Sequence, residues 1–314
     1  MPLEFTPITT FLTRTIPHQA IIGEDLLDAQ GLMLIVGPTG AGKTYFVQQL
    51  ANELAGGGPW LGRFGVEKGV RVGLMQAELG EWRFQKRLEK VPKPHPFMFV
   101  ATNYDVKLDE PKGVRELERA VAEMKTEVLI VDPLKPFFAG DENSSTDVNK
   151  LFSGVRALQA KHNFAVIFTH HERKTTIMSK PGKSEARGSG VLTDRPDTVL
   201  RLAEVKGERR LTFEKVRNAE DGEKLGPFTL VQDPATTLFS IVDDGGPLIP
   251  SSFVVNAVGN GTTLAELKRE VAFALNVSEK AVERRVNVLI AQGALNKGID
   301  PMDNRQRVVT VREV

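Results

Sequence analysis

Eight consecutive residues, Gly37-Pro38-Thr39-Gly40-Ala41-Gly42-Lys43-Thr44, satisfy the pattern G-x-x-x-x-G-K-[ST]. Glycines at 37, 40 and 42 let the main chain curl until its N–H groups converge on a polyphosphate, and a helix starting at the loop's end adds the positive end of its dipole. Lys43 would reach the terminal phosphates, and the Thr44 hydroxyl would ligate a magnesium ion. The surroundings fit this chemistry. Leu32-Met33-Leu34-Ile35-Val36 reads as a buried strand entering the loop, and residues 45–54 carry a helical pattern leaving it.

Phosphoryl transfer from such a loop needs a carboxylate for the magnesium shell, a base for the attacking water and a positive charge for the transferring group. Asp132 ends the apolar run at 127–131 and fits the first role. Glu78 follows the strand pattern at 69–75 and is the candidate general base. Both then lie on the edge of a parallel sheet that carries the loop, where such folds place their sites. His170 and His171 end another apolar run on that edge. A strand-end histidine is commonly a solvated surface residue; an adjacent pair there is a candidate sensor of the terminal phosphate.

The elements that must position these residues alternate along the chain. Strand patterns at 32–36, 69–75, 97–101, 127–132 and 164–169 are separated by helical patterns at 45–54, 81–90, 114–125 and 146–162. That order predicts an α/β fold with a mostly parallel, doubly wound sheet flanked by helices. Closely spaced strand patterns at 198–203, 210–216, 227–231 and 237–242 predict antiparallel hairpins at its C-terminal edge. Residues 1–30 read as a proline-punctuated lead-in, 31–242 as the core, and 243–260, rich in glycine, proline and serine, as a linker. Residues 261–314 carry two amphipathic helical patterns and a hairpin, the layout of a small winged-helix domain.

The whole chain sets further bounds. It has 314 residues, 41% hydrophobic and 26% charged, enough for one sizeable core and a small second unit. Forty-one basic against forty acidic residues give no global signal for nucleic acid. The absence of cysteine excludes disulfides, thiolate metal sites and cysteine nucleophiles, and fits a reducing cytoplasm. Residues 1–16 lack a basic segment followed by an apolar stretch, and no apolar run approaches the length of a membrane span. A cytoplasmic, non-membrane protein is expected.

Taken in order, Glu78, Asp132-Pro133-Leu134, Gly140-Asp141-Glu142-Asn143, Thr169-His170-His171 with Lys174, Gly188-Ser189 and Lys215-Val216-Arg217-Asn218 resemble the RecA-fold ATPases of the hexameric RepA-like helicase group, relatives of DnaB-type helicases. The similarity covers approximately residues 15–235. It implies ATP and Mg2+ as ligands, a homo-oligomer in the form of a hexameric ring, and single-stranded DNA as partner. It also implies a Lys-x-Arg element on an antiparallel hairpin that enters the neighbouring subunit's nucleotide site. Arg217 then resembles an arginine finger acting in trans, with Lys215 beside it.

Residues 172–187 are polar and dominated by basic side chains. In ring-shaped motors of this kind the matching loop lines the central channel, so Lys174, Lys180, Lys183 and Arg187 are candidates for contacts to the DNA backbone, with a solvated loop as the alternative. In the C-terminal unit, Lys280, Arg284 and Arg285 share a helix with Glu279 and Glu283, while Arg305 and Arg307 fall in the wing. That surface suits double-stranded DNA or a protein equally. Three functions remain in view: a replicative helicase, an ATP-switched DNA-binding regulator or scaffold, and a small-molecule kinase. The last leaves Asp132, the histidine pair and Lys215-Val216-Arg217 without a role. If the 172–187 loop grips single-stranded DNA, replacing Lys180 and Lys183 with alanine should flatten the slope of log K against log salt by about 1.4; DNA titrations showing an unchanged slope would contradict the assignment.

Overall fold

The computed structural model describes residues 5–15, 19–23, 25–102, 104–172, 191–205, 208–217, 226–242, 254, 257–258, 262–275, 279, 282–283, 286, 290, 295–299 and 307–311. The helices are α1 (Ile8–Leu12), α2 (Lys43–Gly56), α3 (Glu81–Leu88), α4 (Pro111–Met124), α5 (Ser145–His162), α6 (Val191–Asp194) and α7 (Leu264–Leu275). The strands are β1 (Ala20–Ile22), β2 (Leu27–Asp28), β3 (Leu32–Gly37), β4 (Val72–Gln76), β5 (Met98–Thr102), β6 (Val128–Asp132) and β7 (Ala165–His171). They continue with β8 (Thr198–Val205), β9 (Glu208–Val216), β10 (Phe228–Gln232), β11 (Phe239–Val242), β12 (Leu295–Ile299) and β13 (Arg307–Val311).

One nine-stranded sheet runs in the order β11-β10-β9-β8-β3-β7-β6-β4-β5 among the described residues. From β8 to β5 every neighbouring pair is parallel; from β8 to β11 every pair is antiparallel. This is the architecture expected from the alternating patterns. The central strands are continuous apolar runs because both their faces are covered. Met33, Ile35, Ile130 and Ile167 face one core, formed with α2, α3 and the 20–28 segment. Leu32, Leu34, Val131 and Phe168 face the other, formed with α4 and α5.

Local chemistry sets the helix ends. Pro111 occupies the first turn of α4, where its missing N–H costs nothing. Ser144 caps α5 by accepting from Asp147 N at 3.3 Å. At α7, Thr263 Oγ1 accepts from Glu266 N at 3.2 Å while the Glu266 carboxylate accepts from Thr263 N at 3.0 Å, a capping box.

The lead-in is more structured than its proline content suggests. β1 and β2 pair antiparallel, and Ile22, Leu26 and Leu27 are buried in the core of α2. Two- and three-residue strands are too short to show a period in sequence. Beyond the sheet, β12 and β13 form an antiparallel hairpin, and Leu267 and Val271 of α7 are buried with Val282, Val286, Leu295 and Val309. Positions 279, 282, 283, 286 and 290 are helical, within the second amphipathic pattern of that unit.

A long-range clamp fixes the helix that follows the phosphate loop. Gln49 on α2, 3% exposed, donates from Nε2 to Phe239 O at 2.9 Å and accepts from Phe239 N at 2.6 Å, tying α2 to β11. Gln49 also donates to Glu53 Oε1, whose other oxygen accepts from Leu61 N at 3.1 Å. Burial nevertheless pushes the Glu53 carboxyl up to about 7. The folded state therefore keeps a proton that the unfolded chain has already released above its ordinary carboxylate pKa, and stability is lost as pH rises towards 7. Glu53→Gln should stabilise the protein by up to about 3 kcal/mol at pH 8, with the gain shrinking to nothing as pH falls below about 4.5. Urea denaturation across that range measures it, and a gain independent of pH would contradict this account.

Candidate nucleotide site

β3 delivers the loop to the sheet edge, and packing explains its first glycine. A Cβ on Gly37 would lie 2.0 Å from the Leu202 carbonyl oxygen on β8, so no other residue fits without moving that strand. Gly40 and Gly42 have φ of +85° and +95°, which side chains disfavour. The turn is closed by Ala41 N donating to Pro38 O, and α2 opens with Phe46 N donating to Gly42 O. Pro38 and Thr39 complete the curl between strand and helix.

Lys43 lies beneath this curl, 4% exposed. Its Nζ donates to Gly37 O at 2.7 Å and Pro38 O at 3.0 Å, and lies 3.0 Å from His171 Nδ1. Burial lowers its pKa, opposed by the charges of Asp132, Glu78 and Glu172. Asp132, also 4% exposed, accepts hydrogen bonds from the hydroxyls of Thr169, at 2.5 Å, and Thr44. Burial raises the Asp132 pKa; those two hydroxyls and Lys43 oppose the shift, and Glu78 adds to it.

Glu78 is held by the turn after β4. Gln76, 2% exposed, donates from Nε2 to Leu79 O at 2.8 Å and accepts from Leu79 N at 2.9 Å, so one side chain braces the segment that carries Glu78. Glu78 Oε1 lies 3.2 Å from His171 Nε2. His171 thus touches the loop lysine through one ring nitrogen and the candidate base through the other. Its neighbour turns elsewhere. His170 Nδ1 lies 3.7 Å from Glu142 Oε1, beyond hydrogen-bond distance, and burial lowers the His170 pKa against the opposing charge of Glu142. The loop before Glu142 is anchored by Asp109, which accepts from Ala139 N and Gly140 N.

A bulge contributes a further ionic group. The β8–β9 register shifts between Val199 and Leu200, which pair with Lys215 and Phe213, leaving Glu214 as the extra residue. Glu214 and Glu172 both bind Arg201, while Glu172 N donates to Gly37 O. No motif in the sequence marks Gln76, whose brace closes an irregular turn, or Arg201 and Glu214, whose pairing depends on partners distant in the chain or placed by the bulge. Thr169 belongs to the ordered string that resembles the helicase group, and its bond to Asp132 explains why a hydroxyl stands there.

Lys215 and Arg217 are not brought to their own phosphate loop. Val216 pairs with Thr198, and Thr198 aligns with Met33 at the start of β3, whereas the loop follows its end. The separation along the strand is roughly 16 Å. Lys215 Nζ donates to Asp194 O and Pro196 O, and Arg217 lies 3.6 Å from Asp197 Oδ1. Burial lowers the Lys215 pKa, with the Arg217 charge adding to the shift. Lys174, Lys180, Lys183, Arg187, Lys280, Arg284, Arg285 and Arg305 lie outside the described residues.

A mostly parallel sheet with this loop, antiparallel strands on one flank and two carboxylates on the loop edge defines a RecA-like P-loop ATPase. Residues 2–176 match the AAA domain family AAA_25, and the chain belongs to that family. The crystal structure of KaiC-like protein PH0186 from the hyperthermophilic archaeon Pyrococcus horikoshii OT3 is similar, with a TM-score of 0.50 and 14% sequence identity over 68% of this chain and 90% of that chain. That likeness concerns the fold. No curated protein sequence matches the chain. Among the described residues no helix is long and apolar enough to cross a membrane.

The donor set fits ATP with magnesium. Among the described residues no group of three or more acidic or histidine side chains forms a metal cage. Magnesium characteristically takes one or two protein oxygens and completes its shell with phosphate and water, which matches the Thr44–Asp132 pair. Gln76 is a positioning residue for Glu78 in this arrangement. Gln76→Leu, similar in size but without the brace, should lower steady-state ATP turnover by about 10- to 100-fold while nucleotide affinity stays within about twofold. An equal loss of affinity in an ADP titration would contradict the positioning role.

Proposed function

We propose that the chain is the subunit of a ring-forming ATP-driven DNA motor, a RepA-like replicative helicase or translocase that works as a homo-oligomer, with a hexamer as the expected ring. One observation carries this reading: Lys215 and Arg217 stand at the edge of the sheet remote from their own phosphate loop. They cannot complete that site, but they can complete a neighbour's in a head-to-tail assembly, which closes into a ring when the rotation permits.

Bound ATP with Mg2+ supplies the transferable phosphoryl group and the charge that must be neutralised. Gly37, Pro38, Thr39, Gly40, Ala41 and Gly42 would cradle the phosphates, Lys43 would leave its carbonyl partners to pair with them, and Thr44 with Asp132 would hold the cation. Glu78 orients a water and takes its proton. His171, in contact with both Lys43 and Glu78, relays the state of the site into the segment that begins at Glu172. His170 supports that relay from the Glu142 side. Lys174, Lys180, Lys183 and Arg187 in that segment contact the backbone of single-stranded DNA. Residues 261–314 act as a winged helix on double-stranded DNA or a protein, using Lys280, Arg284 and Arg285, and are joined by a linker at 243–260 to the core at 31–242. Cytoplasmic residence belongs to the same reading, as the compartment where a DNA motor would work.

The ATPase rate at several protein concentrations, with and without single-stranded DNA, tests the proposal. A motor completed in trans should show specific activity that rises with concentration and strong stimulation by DNA. Arg217→Ala should lose turnover by about a thousandfold while retaining ATP binding. A slow rate indifferent to DNA, with Arg217→Ala near normal, would instead favour an ATP-switched DNA-binding regulator or scaffold.

A further inference from the structure

The antiparallel half of the sheet brings a second arginine to the phosphate loop within the same subunit. Arg209 stands near the start of β9, at the opposite end from Val216, and pairs with Glu204 on β8 and Leu230 on β10. The ladder thereby carries it to the loop edge. A Cβ built on Gly42 would lie 3.7 Å from Arg209 Cζ and 3.8 Å from its Nε. The guanidinium lies over the Phe239 ring, 5.4 Å from its centroid, and donates from Nη1 to Gln232 Oε1. Gln232 is in turn fixed by donating from Nε2 to Thr237 O at 2.9 Å. Both anchors of the cation are neutral, so neither compensates its charge.

β3 divides the surroundings of the loop into two sides. Glu78, Asp132, Thr169 and His171 come from β4, β6 and β7 or the turns after them, all on one side of β3. The terminal phosphate and its cation belong with those carboxylates. The other end of a loop-bound nucleotide then lies towards β8–β11, where Arg209 is held. We propose that Arg209 is a nucleotide-binding residue acting in cis, and that its guanidinium pairs with the α-phosphate of bound ATP or ADP. A guanidinium fork matches two phosphate oxygens, whereas a lysine offers only a point charge. The inference rests on the nucleotide reading of the loop and is independent of DNA, ring formation and Arg217.

The α-phosphate is common to ATP and ADP, so the contribution should be the same for both. Calorimetric titration of the full-length protein with ADP and with a non-hydrolysable ATP analogue tests this, using Arg209→Met, which keeps an aliphatic stem on Phe239, and Arg209→Lys, which restores a charge. Arg209→Met is expected to weaken both ligands equally, by about tenfold. Arg209→Lys should recover part of the loss, and the ligand-free melting temperature of both variants should match wild type. Binding by Arg209→Met within about twofold of wild type would overturn the proposal. So would a loss larger for the ATP analogue than for ADP, which would move the contact to the γ-phosphate. Equal weakening by both variants with a lowered ligand-free melting temperature would make Arg209 a structural prop and also overturn it. Lys43→Ala serves as the separate check on the loop: if it binds ADP like wild type, the nucleotide reading fails whatever Arg209 does.

Discussion

An ammonium and a carboxylate buried close together at the edge of one sheet form the constraint on which the rest of the structure depends. Lys43 and Asp132 are each almost wholly removed from solvent, and such groups are costly to bury unless their remaining donors and acceptors are satisfied. Two main-chain carbonyls and an imidazole nitrogen surround the first; two hydroxyls bind the second. Those partners come from β3, β7 and the start of α2, so the three parallel strands β3, β7 and β6 must hold their register. The two hydrophobic cores hold it from both faces, and a slip of one residue would exchange the faces of every strand.

The tolerance of that arrangement differs from one side to the other. Towards β4 the site is braced by side chains, with Gln76 fixing Glu78's turn and Asp109 fixing the loop before Glu142. Towards β8 it is braced by main chain, because Gly37 lies against the Leu202 carbonyl without room for a methyl group. Side-chain braces can yield when a ligand arrives; a strand in contact with a glycine cannot.

Most of the sheet was legible in the sequence because doubly covered parallel strands appear as unbroken apolar runs. The 32–36, 127–132 and 164–169 runs differ from β3, β6 and β7 only at their ends. Lys43 was legible from the spacing of the loop motif, and Asp132 and Glu78 for a related reason: polar residues that follow such runs must lie on one edge. What a linear pattern does not contain is lateral order. Nothing in residues 198–216 indicates that β8 borders β3, or that the hairpin sends Arg217 to one edge and Arg209 to the other. The different fates of His170 and His171 are equally hidden, since alternation along a strand separates neighbours that look equivalent in sequence. Glu214 faces Arg201 only because a bulge interrupts that alternation.

The clamp between Gln49 and Phe239 joins residues 190 positions apart. Proteins are made from the N-terminus, and their early segments wait for later ones. The phosphate loop leaves the ribosome before the parts that shape it, because the carbonyl that fits Gly37 and the strand that receives Gln49 belong to residues 202 and 239. The family match, by contrast, ends at residue 176. A nascent chain stopped at that boundary has the signature of an ATPase without the packing that shapes its loop. The loop's shape therefore depends on strands made well after it, and is complete only when β8 and β11 have joined the sheet.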